Sequence, residues 1–242
     1  RRHHRPEGEQ ELLGIGLALP GALDPRDGTV TSAVLDWSAV PLPTMLAQAT
    51  GLPVFVDNDV NADAIAARLY DGRLPDDVLL VTIGYGIGCA MTIGGRVHRG
   101  ARGGAGELGH VVVDPDGQAC ACGLRGCLET LIGDNALARR AVAAGIVPAG
   151  GTKDDLNAAA RRGDPAASAL FDAAGEELGR ALASLEHVVD PELLVISGEG
   201  VDVWQYWKPG FTRALRAHLP RQRRDLRVVV RDWGEDTWTR GA

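Results

Sequence analysis

The sequence predicts an α/β protein built of layered strands and helices. Three observations carry this prediction. Short apolar runs of strand length recur at residues 12–19, 54–56, 78–83 and 193–197, beside Gly, Pro or Asp turns. Stretches rich in Ala, Leu, Glu and Arg alternate with them and suit helices. The chain has 242 residues, 45% apolar and 24% charged, which is enough apolar material to bury a core.

The elements follow in order. Residues 12–19 (LLGIGLAL) read as a buried strand that stops at Pro20-Gly21. Asp24-Pro25 and Asp27-Gly28 prolong a loop, and residues 43–50 suit a short helix with Pro43 in its first turn. A second strand over 54–56 carries Asp57-Asn58-Asp59 at its carboxyl end. A helix over 60–70 follows, capped by Asn58 or Asp59. The Gly, Pro and charge of residues 71–77 mark a loop and a lobe boundary, which divides the chain into 1–72 and 77–242.

Beyond that boundary, residues 78–83 form a strand, 84–88 a glycine-rich turn and 89–93 another strand, with Gly94-Gly95 as a hairpin signal. Residues 100–109 are a loop with five glycines, 111–113 a short strand and 114–127 a compact cysteine-bearing loop. Helices are predicted over 134–144, 153–161, 166–188 and 203–219, and strands over 193–197 and 226–230.

Charge and composition exclude several classes. With 25 basic and 32 acidic residues the net charge is −7, against the basic surplus of a nucleic-acid binder. No apolar run approaches the ~20 residues of a membrane span. The basic start, Arg1-Arg2-His3-His4-Arg5, lacks the apolar stretch of a secretory signal and reads as the end of a preceding helix. The chain does not begin with Met, so a longer parent polypeptide is expected. A reducing, cytoplasmic compartment fits the clustering of three of the four cysteines within eight residues.

Four constellations carry chemistry. His110, Cys120, Cys122 and Cys127 form H-x9-C-x-C-G-x2-G-C, a Cys3His set of the kind that closes around a structural zinc. Gly123 and Gly126 allow the bend that brings in Cys127. Asp57-Asn58-Asp59 stands at a strand end, where α/β sheets bind ligands. A carboxylate there can take a proton from a hydroxyl, and helix capping explains the same residues equally well. Gly84-Tyr85-Gly86-Ile87-Gly88 suits either a phosphate cradle or a tight hairpin, and Gly198-Glu199-Gly200 is similarly suggestive. Glu107, His110 and Glu129 can converge on a polyhydroxylated ligand, and surface charge is the plain alternative for either Glu.

Together these residues resemble the ROK family of bacterial sugar kinases and sugar-sensing repressors. The most specific part is Gly106-Glu107-Leu108-Gly109-His110 through Cys120-Ala121-Cys122-Gly123-Leu124-Arg125-Gly126-Cys127-Leu128-Glu129. The resemblance implies an actin-like, hexokinase-type two-lobed fold with ribonuclease H-like sheets, a zinc loop over 110–127, and homodimers or homotetramers. Residues 1–72 would be the remainder of the smaller lobe. Asn58, Asp59, Glu107, His110 and Glu129 would hold sugar hydroxyls, with Gly21 at a sugar-side turn. His110 would serve twice, as zinc ligand and sugar contact. Gly84, Gly86 and Gly88 would form the second phosphate loop, and Gly198 and Gly200 would face adenosine.

Two departures weigh on the subfamily. Kinases of the family carry Gly-Thr-Gly where this chain has Gly84-Tyr85-Gly86, and the kinase's opening Asp-x-Gly-Gly-Thr loop lies outside this chain. A ring at Tyr85 hinders nucleotide unless it points away. The helix-turn-helix of the regulators is likewise outside it. The expectation is therefore the sugar-binding effector domain of a ROK-type regulator, with DNA bound only through a domain not in this chain. The alternative is a kinase using ATP and Mg2+, with Asp59 as catalytic base. A zinc-stabilised scaffold with a dead cleft is a third reading.

Overall fold

The computed structural model describes residues 12–72, 74–234 and 237–242. The basic start read as the end of a helix lies outside them. The chain opens with β1 (Ile15–Leu19), β2 (Ala22–Asp24), β3 (Thr29–Ser32), β4 (Trp37–Val40), α1 (Leu42–Thr50), β5 (Val54–Asn58) and α2 (Asp59–Tyr70). Three strands follow: β6 (Val78–Ile83), β7 (Ile87–Ile93) and β8 (Arg96–Val97). After them come α3 (Glu129–Ile132), α4 (Asp134–Ala143), α5 (Lys153–Arg161), α6 (Pro165–Val189) and β9 (Leu193–Ser197). The chain closes with α7 (Trp204–His218), β10 (Arg227–Val230) and α8 (Thr237–Gly241).

These strands make three sheets. The largest runs β10-β9-β6-β7-β8, with β6, β9 and β10 parallel and β7 and β8 antiparallel to their neighbours. That is the ribonuclease H-like order. β6 (VLLVTI) and β9 (LLVIS) are buried along their whole length, as central strands covered on both faces must be. Their side chains alternate between two layers. Leu79, Val81, Ile83, Leu194 and Ile196 pack with Phe171, Leu178 and Leu182 of α6 and with Trp207 and Phe211 of α7. Val78, Leu80, Leu193 and Val195 pack with Val60, Ala64 and Ala67 of α2.

Helices α6 and α7 touch backbone to backbone. A methyl at Gly175 would lie 2.1 Å from the Trp207 carbonyl, so only glycine fits there. Asp164 starts α6 by accepting from the N–H groups of Ala166 at 2.8 Å and Ala167 at 3.1 Å, with Pro165 in the first turn.

The two smaller sheets are thinner. β1 pairs with β5 in parallel, and β2, β3 and β4 form an antiparallel meander. No residue of α1 is buried, and Phe55 of β5 is 72% exposed. α8 packs on α2 and β1.

Four expectations need correction. The first strand begins at Ile15; Leu12 and Leu13 are exposed. The predicted loop around Asp24 to Gly28 is the tip of the β2–β3 hairpin. β7 begins at Ile87, two residues early, because Ile87 still pairs with Ile83. Val111, Val112 and Val113 form no strand: they are exposed, and only Val112 makes a bridge, to Cys127. None of the described helices is long and apolar enough to cross a membrane.

Candidate functional site

The carboxyl ends of β5, β6 and β9 meet the amino end of α2, and the predicted residues gather there. Asn58 caps α2, with its Oδ1 accepting from Val60 N at 2.9 Å and Asn61 N at 3.2 Å. Its Nδ2 donates to the Gly21 carbonyl at 3.2 Å, which brings those two predicted residues together. The capping reading of Asn58 therefore holds, and among the described residues Nδ2 makes that single hydrogen bond. Gly21 is confined by packing, since a methyl there would lie 2.6 Å from the Thr31 carbonyl. Asp59 is the first residue of the helix and accepts from Val60 N at 2.9 Å.

The turn over residues 84–88 lies against three neighbours. A methyl at Gly88 would come within 2.4 Å of Val60 Cγ2, so the amino end of α2 rests on the turn. Glu129 Oε2 accepts from Ile87 N at 3.2 Å and lies 2.8 Å from where a Gly86 methyl would be. Glu199 Oε2 lies 2.1 Å from the corresponding point at Gly84. Tyr85 is 64% exposed, so its ring does not fill the turn. Gly198 and Gly200 pack on Ile83 at the end of β6, beside the turn.

The thiol loop stands on the far side of Glu107. The ligand atoms of His110, Cys120, Cys122 and Cys127 all lie within 4.8 Å of one another. Cys122 and Cys127 sulfurs are 3.6 Å apart, and Cys120 Sγ is 3.4 Å from His110 Nδ1. A tetrahedral zinc with Zn–S bonds of about 2.3 Å separates its sulfurs by about 3.8 Å, so the set fits that ion. The other ring nitrogen, His110 Nε2, faces the Glu107 carboxylate at 3.7 Å. One imidazole thus points to the thiols with one edge and to the Glu107 carboxylate with the other. Cys89 is no part of this cluster: it is buried in the core, and burial pushes its thiol up to about 12.

Electrostatics tie the groups into one cluster. Asp59 is held above the ordinary carboxylate range, first by its removal from water and then by the negative charges of Glu199 and Glu107. The protein around Glu107 raises its pKa too, with Glu129 adding to the rise and His110 opposing it. Asp59, Glu107, His110, Glu129 and Glu199 are therefore within electrostatic reach of one another. Clustered carboxylates beside an imidazole suit the binding of neutral polyols by hydrogen bonds.

The sequence marked Asp57 as part of the Asp57-Asn58-Asp59 strand end but gave it no role of its own, and it marked neither Arg99 nor the side chain of Glu199. Arg99 Nη2 pairs with Asp57 Oδ2 at 2.5 Å, and Asn61 Nδ2 donates to Asp57 Oδ1 at 3.0 Å. Asp57 thus ties β5 to the loop after β8. Glu199 stood in the sequence only as the middle of a glycine pair.

Fold and site together define a hexokinase-like α/β protein of the actin-like class, with a cluster of carboxylates beside a Cys3His loop. The model of the ROK family matches residues 3–242, and the chain belongs to that family. It is 36% identical over 205 residues to a glucokinase of Thermotoga maritima, covering 78% of this chain and 64% of that one. It superposes with TM-score 0.83 and 32% identity on a ROK family transcriptional regulator, a homologue of the E. coli MLC protein, over 94% of this chain and 60% of that one. A ROK family glucokinase from Streptomyces griseus, in complex with glucose and AMPPNP, gives TM-score 0.84 and 30% identity over 96% of this chain and 80% of that one. A xylose repressor of Caldicellulosiruptor bescii, 29% identical, is matched over 80% of this chain. The chain spans 52% of that repressor and 64% of the Thermotoga enzyme, about half to two thirds of such relatives.

Proposed function

We propose that this chain is the sugar-binding effector domain of a ROK-type transcriptional regulator. The observation that carries the reading is the convergence of Asp59, Glu129 and His110 on Glu107, with the opposite edge of His110 facing the thiols. A sugar hydroxyl finds acceptors in the carboxylates and a directed donor in the imidazole, with the Asn58 amide beside them. Zinc in the thiol loop fixes that imidazole. The cleft lies between a lobe of residues 1–72 and a lobe of residues 77–242. Sugar that prefers the closed cleft shifts the population toward it, and in a homodimer or homotetramer that shift respaces the DNA-binding heads. The protein works in the cytoplasm. The Thr hydroxyl that can bond a phosphate oxygen in kinases of the family is replaced here by the outward-pointing Tyr85, and this loss, not a steric block, favours the regulator over the kinase.

The second reading, an ATP-dependent sugar kinase, is favoured by the contact of α2 with the 84–88 turn, which sets Asp59 beside a phosphate loop. In that reading Asp59 takes the proton of the accepting hydroxyl, and Gly198 and Gly200 lie toward adenosine.

Isothermal titration of the full-length protein with a panel of hexoses, pentoses and amino sugars tests the binding claim. At least one sugar is expected to bind, and Glu107→Gln to weaken it tenfold or more, about 1.4 kcal/mol. Unaltered affinity in Glu107→Gln would remove the proposed site, and no heat from any sugar would favour a zinc-stabilised scaffold.

A further inference from the structure

We propose that Glu199 is a specificity-determining residue that bars nucleotide phosphate from the 84–88 turn. The inference rests on reading that turn as a phosphate loop. Apart from its neighbours, the turn has what an anion needs. The N–H groups of Tyr85 and Gly86 have no acceptor among the described residues, while Gly84 N donates to Gly86 O and Ile87 N to Glu129. Successive free N–H groups at a glycine turn attract phosphate oxygens.

Glu199 stands where such an oxygen would arrive. Its Oε2 lies against Gly84, 2.1 Å from the position of a methyl there, and its Cδ at 3.2 Å. The residue itself is exposed, so its charge meets the cleft and not the core. Its position is set by the backbone and not by chance rotation alone: Gly198, at φ +94°, carries the chain across the end of β6 with a methyl position 2.5 Å from the Ile83 carbonyl. The next residue then has to project over Gly84, the neighbour of Ile83. Its charge reaches Asp59 as well, which links the same carboxylate to both halves of the cleft. A triphosphate entering the turn would either lie beside two or more carboxylates or displace Glu199. Like charges set side by side act mainly as discrimination against the wrong ligand. A neutral sugar meets no such repulsion. Tyr85, which points outward, does not supply the barrier.

The test is titration of the full-length protein with Mg-ADP and with Mg-AMPPNP. Glu199→Gln and Glu199→Ala are compared with the parent, with Asp202→Asn as a control that removes a nearby exposed carboxylate. Both Glu199 variants are expected to bind nucleotide at least about tenfold more tightly than the parent, the gain shrinking as salt is raised, and Asp202→Asn to behave as the parent. Thermal unfolding checks that each variant is folded. Should Glu199→Ala fail to fold, the near-isosteric Glu199→Gln carries the comparison. Equal nucleotide affinity in parent and variants overturns the proposal, and so does an absence of gain in both. Sugar titration of the same samples separates the two claims. Gain of nucleotide binding without any sugar binding contradicts the effector reading and leaves the role of Glu199 intact.

Discussion

The five-stranded sheet and the two small sheets are built to different standards. Around the large sheet, β6 and β9 are wholly buried and Phe171, Trp207 and Phe211 are packed to near-zero exposure. Around β1 and β5, α1 contributes no buried residue, and Leu13 and Phe55 are mostly exposed. Yet the candidate site draws on both. Glu107, His110 and Glu129 follow strands of the large sheet, and Asp59 follows β5. The difference is resolved by α2. Its first residue is Asp59, but its buried face, Val60, Ala64 and Ala67, packs on the large sheet. The cluster is thus anchored to one sheet, and the small sheets are tied to it through Asn58–Gly21 and Asp57–Arg99.

Substitutions can break or sharpen this contrast. Phe171→Ala empties the large core and is expected to cost about 3–5 kcal/mol, read as a lower denaturant midpoint. Cys127→Ser is expected to abolish the binding of about one zinc per chain, seen by metal analysis, and to lower the melting temperature. Retained zinc with unchanged stability would contradict the assignment of the thiol loop. Asn58→Ala removes the cap of α2 and is expected to cost about 1 kcal/mol, while weakening sugar binding by loosening Asp59.

Asp59→Asn acts in the opposite direction. The pKa of Asp59 is raised in the folded state. Its favourable contribution is therefore present at low pH, where both folded and unfolded forms are protonated, and is lost as pH rises through the folded pKa. Asp59→Asn is accordingly expected to raise the melting temperature at pH 7 and to converge with the parent below about pH 4. A variant less stable than the parent at pH 7 would show that the carboxylate is not destabilising there. Phe55→Ala, on the thin sheet, is expected to change stability by no more than about 0.5 kcal/mol. A loss comparable to that of Phe171→Ala would erase the contrast between the regions.

Legibility in the sequence follows the same contrast. β6, β9, α2 and α5 were readable because their burial is written as continuous apolar runs or helical texture with caps. The thiol cluster was readable because all its ligands are close in sequence. The β2–β4 meander was not: its strands are only three or four residues long, only β3 alternates, with Val30 and Ser32 turned inward, and Ala39 sits at φ +51°. Val111, Val112 and Val113 misled because β-branched residues imply a strand only when a neighbour pairs with them. α8 gave no signal because its partner, α2, lies at the other end of the chain. Glu199 went unread for the same reason, since its neighbour Gly84 is remote in sequence.

Under the proposed function, this site binds sugar without phosphorylating it. The most direct measurement incubates the full-length protein with ATP, Mg2+ and each sugar that binds by calorimetry, and follows sugar phosphate and ADP together. A binding heat with no sugar phosphate above background is expected. Stoichiometric formation of ADP and sugar phosphate, abolished by Asp59→Asn, would contradict it and make the protein a kinase.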